Sequence, residues 1–138
     1  MDQAFNNYKN AVAKDPSNMF ALYDLGHIDQ DRGDVAEAAT EYRSALRVDP
    51  MFADALYNMG VLDAPVDPTG AINYYTQDLK VQPTNASANF NLGVLLIDRG
   101  MTAQGDSYLE TGLRLNPSLS SDLPPGIHAP PTMTTPTG

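Results

Sequence analysis

Few residues in this chain can do chemistry, and their spacing decides against most of it. The sequence has two histidines, His27 and His128, and no cysteine. A zinc site needs a cluster of imidazole or thiolate ligands, and a nucleophilic triad needs a histidine held inside a folded site, so neither is expected. In "DQDRGD" (Asp29 to Asp34) carboxylates alternate as at the start of a calcium loop. The glycine comes one place too early, however, and no glutamate closes the coordination distally. Paired carboxylates do acid–base work only where a closed pocket pushes their pKa values apart, and no spacing here marks such a pair. The expectation is a non-catalytic chain with no catalytic residue, no cofactor and no metal. Arg32-Gly33-Asp34 matches an adhesion tripeptide but sits where a tight turn joins two helices. Asn85-Ala86-Ser87 matches a glycosylation sequon and equally serves as a helix start.

Bulk composition narrows the classes further. Of 138 residues 42% are hydrophobic, which is ordinary for one folded domain. Apolar runs such as "GVLLI" (Gly93 to Ile97) fall far short of the about 20 residues that cross a bilayer. The start, "MDQAF", lacks the basic and apolar regions of a secretory signal, so a targeting segment would have to lie upstream. Seventeen acidic residues against 8 basic ones give a net charge of -9, which opposes the counterion release that drives nucleic-acid binding. No nucleic-acid partner is expected.

The elements that position these residues announce themselves by repetition. "ALYDLG" (Ala21 to Gly26) returns as "ALYNMG" (Ala55 to Gly60) and "ANFNLG" (Ala88 to Gly93), at steps of 34 and 33. Prolines keep the same register at Pro16, Pro50, Pro83 and Pro117, and so do Ala4, Ala38, Ala71 and Gly105. Tyr8, Tyr42, Tyr75 and Leu109 form another column, and Ala11, Ala45, Asp78 and Gly112 a fourth. In the first full period Leu22, Leu25 and Ile28 fall on one helical face. Gly33 terminates that helix, Asp34 with Glu37 reads as the cap of the next, and Pro50 stops the second helix. Each unit is a helical hairpin that cannot bury its apolar face alone, so successive hairpins must stack.

On these residues (Leu22, Leu25-Gly26, Ala38, Tyr42, Ala45, Pro50) the chain resembles the tetratricopeptide repeat family. The resemblance covers about residues 2 to 117. It implies an all-α fold, a right-handed superhelical solenoid of antiparallel hairpins, with about three and a half repeats. The array occupies 1–119, as a half repeat at 2–18 and full repeats at 19–52, 53–85 and 86–119. Residues 120–138, rich in Pro and Thr, are expected to be a disordered tail. Pro65 in "DAPVDP" should end a helix early and Asp67-Pro68 should start the next. Asp78 and Asn89, polar in small or apolar columns, are expected to meet at the junction of repeats two and three. Gly105 and Gly112 should weaken the last helix.

The family's architecture implies a concave surface lined by first helices, and function is expected there. It would carry Phe20, Tyr23, His27 and Gln30, then Asp54, Tyr57, Val61 and Ala64, then Ser87, Phe90, Val94 and Ile97. The ladder Tyr23, Tyr57 and Phe90 either lines a peptide-binding groove or packs between neighbouring helices. Beside it stand Asp24, Asn58 and Asn91; the resemblance implies that Asn58 and Asn91 hold a ligand's backbone, ordinary polar surface being the alternative. No first helix carries a basic residue on this face, which disfavours acidic ligands and points to a neutral, apolar or basic protein or peptide segment. The chain therefore reads as an interaction scaffold. The alternative is a structural assembly module that self-associates, for instance as a homodimer, through its exposed terminal helices, the open first helix with its edge at Phe5 and Tyr8 and the weak last helix. Compartment is not legible; the half-repeat start and the Pro/Thr-rich tail would suit a bacterial domain tethered to a membrane from upstream.

Overall fold

In the computed structural model, which describes residues 3–133, seven α-helices follow one another and each packs on the next. They are α1 (Gln3–Lys14), α2 (Met19–Arg32), α3 (Val35–Val48), α4 (Ala53–Asp63), α5 (Pro68–Val81), α6 (Ala86–Asp98) and α7 (Thr102–Leu115). Among the described residues there is no strand. The pairs α2/α3, α4/α5 and α6/α7 are three hairpins, and α1 packs on α2 in the place of a second helix.

Local sequence explains where the helices begin and end. The Asn18 carboxamide oxygen accepts from the Ala21 amide at 3.1 Å, and Asn85 does the same for Ala88 at 3.1 Å. Each thereby satisfies one of the orphan donors of a helix start. Asp67 accepts from the Gly70 amide at 3.0 Å with Pro68 at the first helical position, as the sequence suggested. Gly33, at φ 84°, closes α2 in the left-handed region. Asp34 differs from expectation: its side chain makes no cap bond. The early proline leaves α4 at 11 residues, against 14 for α2 and 13 for α6.

The columns form the core. Ala38, Tyr42 and Ala45 of α3 are fully buried, as are Ala71 and Tyr75 of α5 and Leu109 of α7. The signature glycines are where these side chains arrive. A Cβ on Gly26 would stand 2.7 Å from the Tyr42 ring, and one on Gly60 would stand 2.6 Å from the Tyr75 ring. In the last hairpin the contact is backbone against backbone: a Cβ on Gly93 would lie 2.6 Å from the Leu109 nitrogen, and one on Gly105 2.7 Å from the Gly93 oxygen. Gly105 and Gly112, read as weak points, thus permit the closest helix approach in the solenoid.

Two further expectations are corrected. Asp78 does not bond Asn89. Its Oδ2 accepts from Asn85 Nδ2 at 2.9 Å, while Asn89 Nδ2 donates to the Pro83 and Asn85 carbonyls, each at 3.0 Å. The turn 82–85 turns its own polar groups inward and captures both side chains. The tail, expected to be disordered from residue 120, is packed through the described residues. A 3₁₀ turn (Pro117–Asp122) follows α7, and Leu119, Leu123, Ile127 and Met133 lie against Phe90, Leu109 and Leu113. Leu123 falls 34 residues after Asn89, in the column of Leu22 and Leu56. The segment occupies the place of a further first helix, but Pro124 and Pro125 keep it from being one. Residues 134–138 of the expected tail lie outside the described residues.

Candidate functional site: the concave face

Helices α2, α4 and α6 present their remaining faces to one side, and the helical period decides which side chains reach it. Between α4 and α6 lies an open apolar cavity of about 250 Å³ lined by Val61, Ala64, Val94 and Leu95, with Tyr75 and Asn91 as its polar wall. Val94 and Leu95 continue into a second cleft of about 440 Å³ whose other wall is the tail, Pro124 to Ile127, with Ile97 and Asp98. Toward the α2 end the surface turns aromatic. Phe20 is 66% exposed and stands edge-on to Phe52 at 5.8 Å, and Tyr23 lies 5.3 Å from the same ring. His27, 6.3 Å from Tyr23, has Nδ1 3.4 Å from an Asp31 carboxylate oxygen.

Asp24, Asn58 and Asn91 are tied into a periodic polar relay. Asn58 Nδ2 donates to the hydroxyls of Tyr23 and Tyr42, each at 3.3 Å, and Tyr42 donates onward to Gln30 at 2.7 Å. One repeat later Asn91 Nδ2 donates to Tyr75 at 3.3 Å and to Tyr57 at 3.5 Å. Asp24 holds the equivalent place and accepts from the Tyr8 hydroxyl, a bond that raises the Tyr8 pKa. Burial pushes the Tyr42 and Tyr75 hydroxyls well above their ordinary value, so both are neutral donors and acceptors at any physiological pH. In each case the amide or carboxylate of one first helix is spent on tyrosines of the preceding repeat.

The anticipated groove residues therefore divide. Phe20, Tyr23, His27, Tyr57, Val61, Asn91 and Val94 reach the concave face at least in part. Asn58 is buried and its amide is engaged. Phe90 is buried with Leu109 and Leu113, so the aromatic ladder stops after Tyr57. Ile97 points toward α7, with Cγ1 2.6 Å from where a Gly105 Cβ would be, and is half-covered by the tail. Phe5 and Tyr8, the anticipated free edge, are half-buried against α2: Phe5 has Lys9 at 5.0 Å and Arg32 at 4.0 Å over its ring. Leu95 and Phe52 were missed. Phe52 lies one residue ahead of its helix, off the face that periodicity scans.

Electrostatics set the faces apart. The concave side carries Asp24, Asp54 and Asp31, and no lysine or arginine enters the 250 Å³ cavity. A cleft of the same volume on the outer side, between α3 and α5, has Arg43 and Arg47 in its wall. Among the described residues no group of histidines and carboxylates is placed to hold a metal ion.

Stacked helix hairpins, glycines that receive a neighbour's tyrosine and an open concave face together define a repeat-built protein-interaction scaffold. The chain belongs to the tetratricopeptide repeat family: one model described as "TPR repeat" matches residues 26–62 and another, "Tetratricopeptide repeat", matches 86–119. Solved structures similar to it include a crystal structure of MamA, with 21% identity, a TM-score of 0.78 and coverage of 88% of this chain and 78% of that one. A second MamA crystal structure has 19% identity and a TM-score of 0.72, over 85% of this chain and 64% of that one. At such identities the likeness is one of fold. No curated protein matches the sequence. Among the described residues no helix is long and apolar enough to cross a membrane.

Proposed function

We propose that the chain is a non-catalytic scaffold that holds an extended, apolar-to-basic segment of a protein partner along its concave face. The observation that carries this reading is the cavity between α4 and α6, where Val61, Ala64, Val94 and Leu95 leave apolar surface open beside the Asn91 amide. Apolar side chains that pack on the core from one side and stay half-exposed on the other, next to a small number of fixed polar groups, suit a peptide whose side chains alternate into and out of a groove. Tyr57 and Asn91 border the same surface, whereas Asn58 contributes by fixing Tyr23 and Tyr42. The acidic rim disfavours acidic segments. Selection from a displayed random-peptide library tests this. The expected winners carry apolar residues without acidic ones and lose binding to a Val61→Glu variant that keeps its helical circular dichroism. Winners that bind Val61→Glu and the parent equally would remove the groove from the account.

A second reading, self-association, is favoured by one observation. Ala4 is exposed, while Ala38 and Ala71 in the same column are fully buried. Among the described residues the exposed side of α1 is the Ala4 side, and Phe5 and Tyr8 are half-buried. Sedimentation velocity of the parent and an Ala4→Arg variant tests it: concentration-dependent growth that the variant abolishes supports assembly, and a parent that is monomeric throughout rejects it.

A further inference from the structure

The α2 end of the concave face departs from its own repeat at two positions. Phe20 has Asp54, which is exposed, and Ser87, which is half-buried, as its equivalents one and two repeats on, so the repeat elsewhere fills this position with polar groups. Phe52 has Asn18 and Asn85 as equivalents, and both of those cap a helix with a side-chain bond. At Phe52 that bond is absent. Without it, an amide of the α4 start lacks the side-chain acceptor that α2 and α6 have. The chain thus leaves one ring in water and gives up one cap, and the two rings that result meet edge to face beside Tyr23. Phe52 and Tyr23 lie partly buried against the core of the first hairpin, whereas Phe20 stays 66% exposed. An exposed ring at a position its own repeat otherwise fills with polar groups marks a site selected for something other than packing.

Charge fixes what such a surface accepts. The carboxylates of Asp54 and Asp24 lie near enough to Tyr23 to help raise its pKa, which burial raises first. Asp54 is exposed and has no ion-pair partner among the described residues. We propose that Phe20, Tyr23 and Phe52, with Asp54 at their side, receive an arginine or lysine side chain of the partner segment. Ring faces attract a cation through their quadrupole, and a carboxylate within reach adds direct charge pairing. The proposal rests on the groove reading and assigns its basic end: apolar residues of the segment would lie between α4 and α6, and the basic one over α2.

The test uses the full chain and two blocked tripeptides, acetyl-Gly-Arg-Gly-amide and its citrulline counterpart, which keeps the planar shape and length but replaces the charged guanidinium with a neutral urea. Ring proton resonances are followed by NMR. Expected are saturable shifts at Phe20, Tyr23 and Phe52 with the arginine peptide, and affinity about three- to fivefold weaker for citrulline or for Phe20→Ala. Asp54→Asn should weaken the arginine peptide and flatten its salt dependence without affecting citrulline. Equal binding of the two peptides, shifts centred elsewhere, or no shift up to several millimolar overturns the proposal. Val61→Glu separates it from the reading beneath it. That variant should lose library-selected peptides but still shift with the arginine tripeptide, so the apolar cavity and the basic site fail independently.

Discussion

The first two full hairpins and the last are built on one template and closed in different ways. In α2/α3 and α4/α5 a glycine receives a tyrosine ring, and the hydroxyl of that tyrosine takes a hydrogen bond from an asparagine of the next repeat. Packing and polar coupling run through one side chain. In α6/α7 the tyrosine is Leu109, the glycines receive backbone instead of a ring, and the next asparagine position is Pro125. No hydroxyl is left to satisfy. Leu119, Leu123 and Ile127 of the tail cover the exposed face with apolar contacts. A tyrosine there would have buried an unpartnered hydroxyl, at a cost of about 1–3 kcal/mol, so the leucine and the apolar tail belong together. The first two hairpins hand a polar contact forward; the α6/α7 hairpin meets the apolar segment that follows it instead.

The sharpest way to break this contrast is to give each hairpin a Cβ it lacks room for. Gly93→Ala should cost roughly 3 kcal/mol or more in urea denaturation, because the new carbon meets the Leu109 nitrogen at 2.6 Å and the Gly105 oxygen at 2.8 Å, and backbone cannot step aside. Gly60→Ala should cost as much alone, but Tyr75→Leu should recover part of it, since there the obstacle is a ring. Recovery of Gly93→Ala by shortening Leu109 would contradict the distinction.

Asp78 tests the junction between the two kinds of hairpin. It is fully buried, its Oδ1 has no partner among the described residues, and burial raises its pKa to about 6, opposed by the Asn85 bond and assisted by Asp54. The folded pKa lies above the unfolded value of 3.8, so the native state binds more protons between the two. The stability contributed here is present below about pH 4 and declines as pH rises to about 6, by an amount on the order of 2–3 kcal/mol. Asp78→Ala, which restores the small residue of its column, should be more stable than the parent at pH 7 and lose that advantage at pH 4. A parent whose stability rises across that window would refute the assignment. Smaller still is the tail: Leu123→Ala with Ile127→Ala should cost about 2 kcal/mol and speed hydrogen exchange in α7 but not in α3. Smallest is the relay, where Tyr42→Phe or Tyr75→Phe should each cost about 1 kcal/mol, read as a shift in the urea midpoint.

The helices were legible because each is written several times over: the columns, capping asparagines and closing prolines fix seven elements without a single long-range contact. The concave face was legible only where the repeat is regular. Helical period tells which way a side chain points but not what lies across from it. Phe90 was therefore read as an open rung, although the loss of tyrosine at Leu109 and the apolar tail bury it. For Asn58 the sequence offers a ligand contact or ordinary polar surface, and neither is its place, because its tyrosine partners lie 35 and 16 residues away. A signal existed: asparagine or aspartate recurs in step with a tyrosine of the preceding unit. For the tail, Leu123 continues the Leu22 and Leu56 column, but the proline-rich composition around it reads as disorder. Phe52 escaped because periodicity assigns faces only within helices.

The measurement that bears most directly on the scaffold reading is chemical-shift mapping of the labelled chain with a library-selected peptide. Perturbations gathered at Val61, Ala64, Asn91 and Val94, and continuing to Phe20 and Tyr23 for a peptide that carries arginine, are the predicted result. Perturbations gathered on α3, α5 and α7, around Arg43 and Arg47, with the concave face silent, would contradict it.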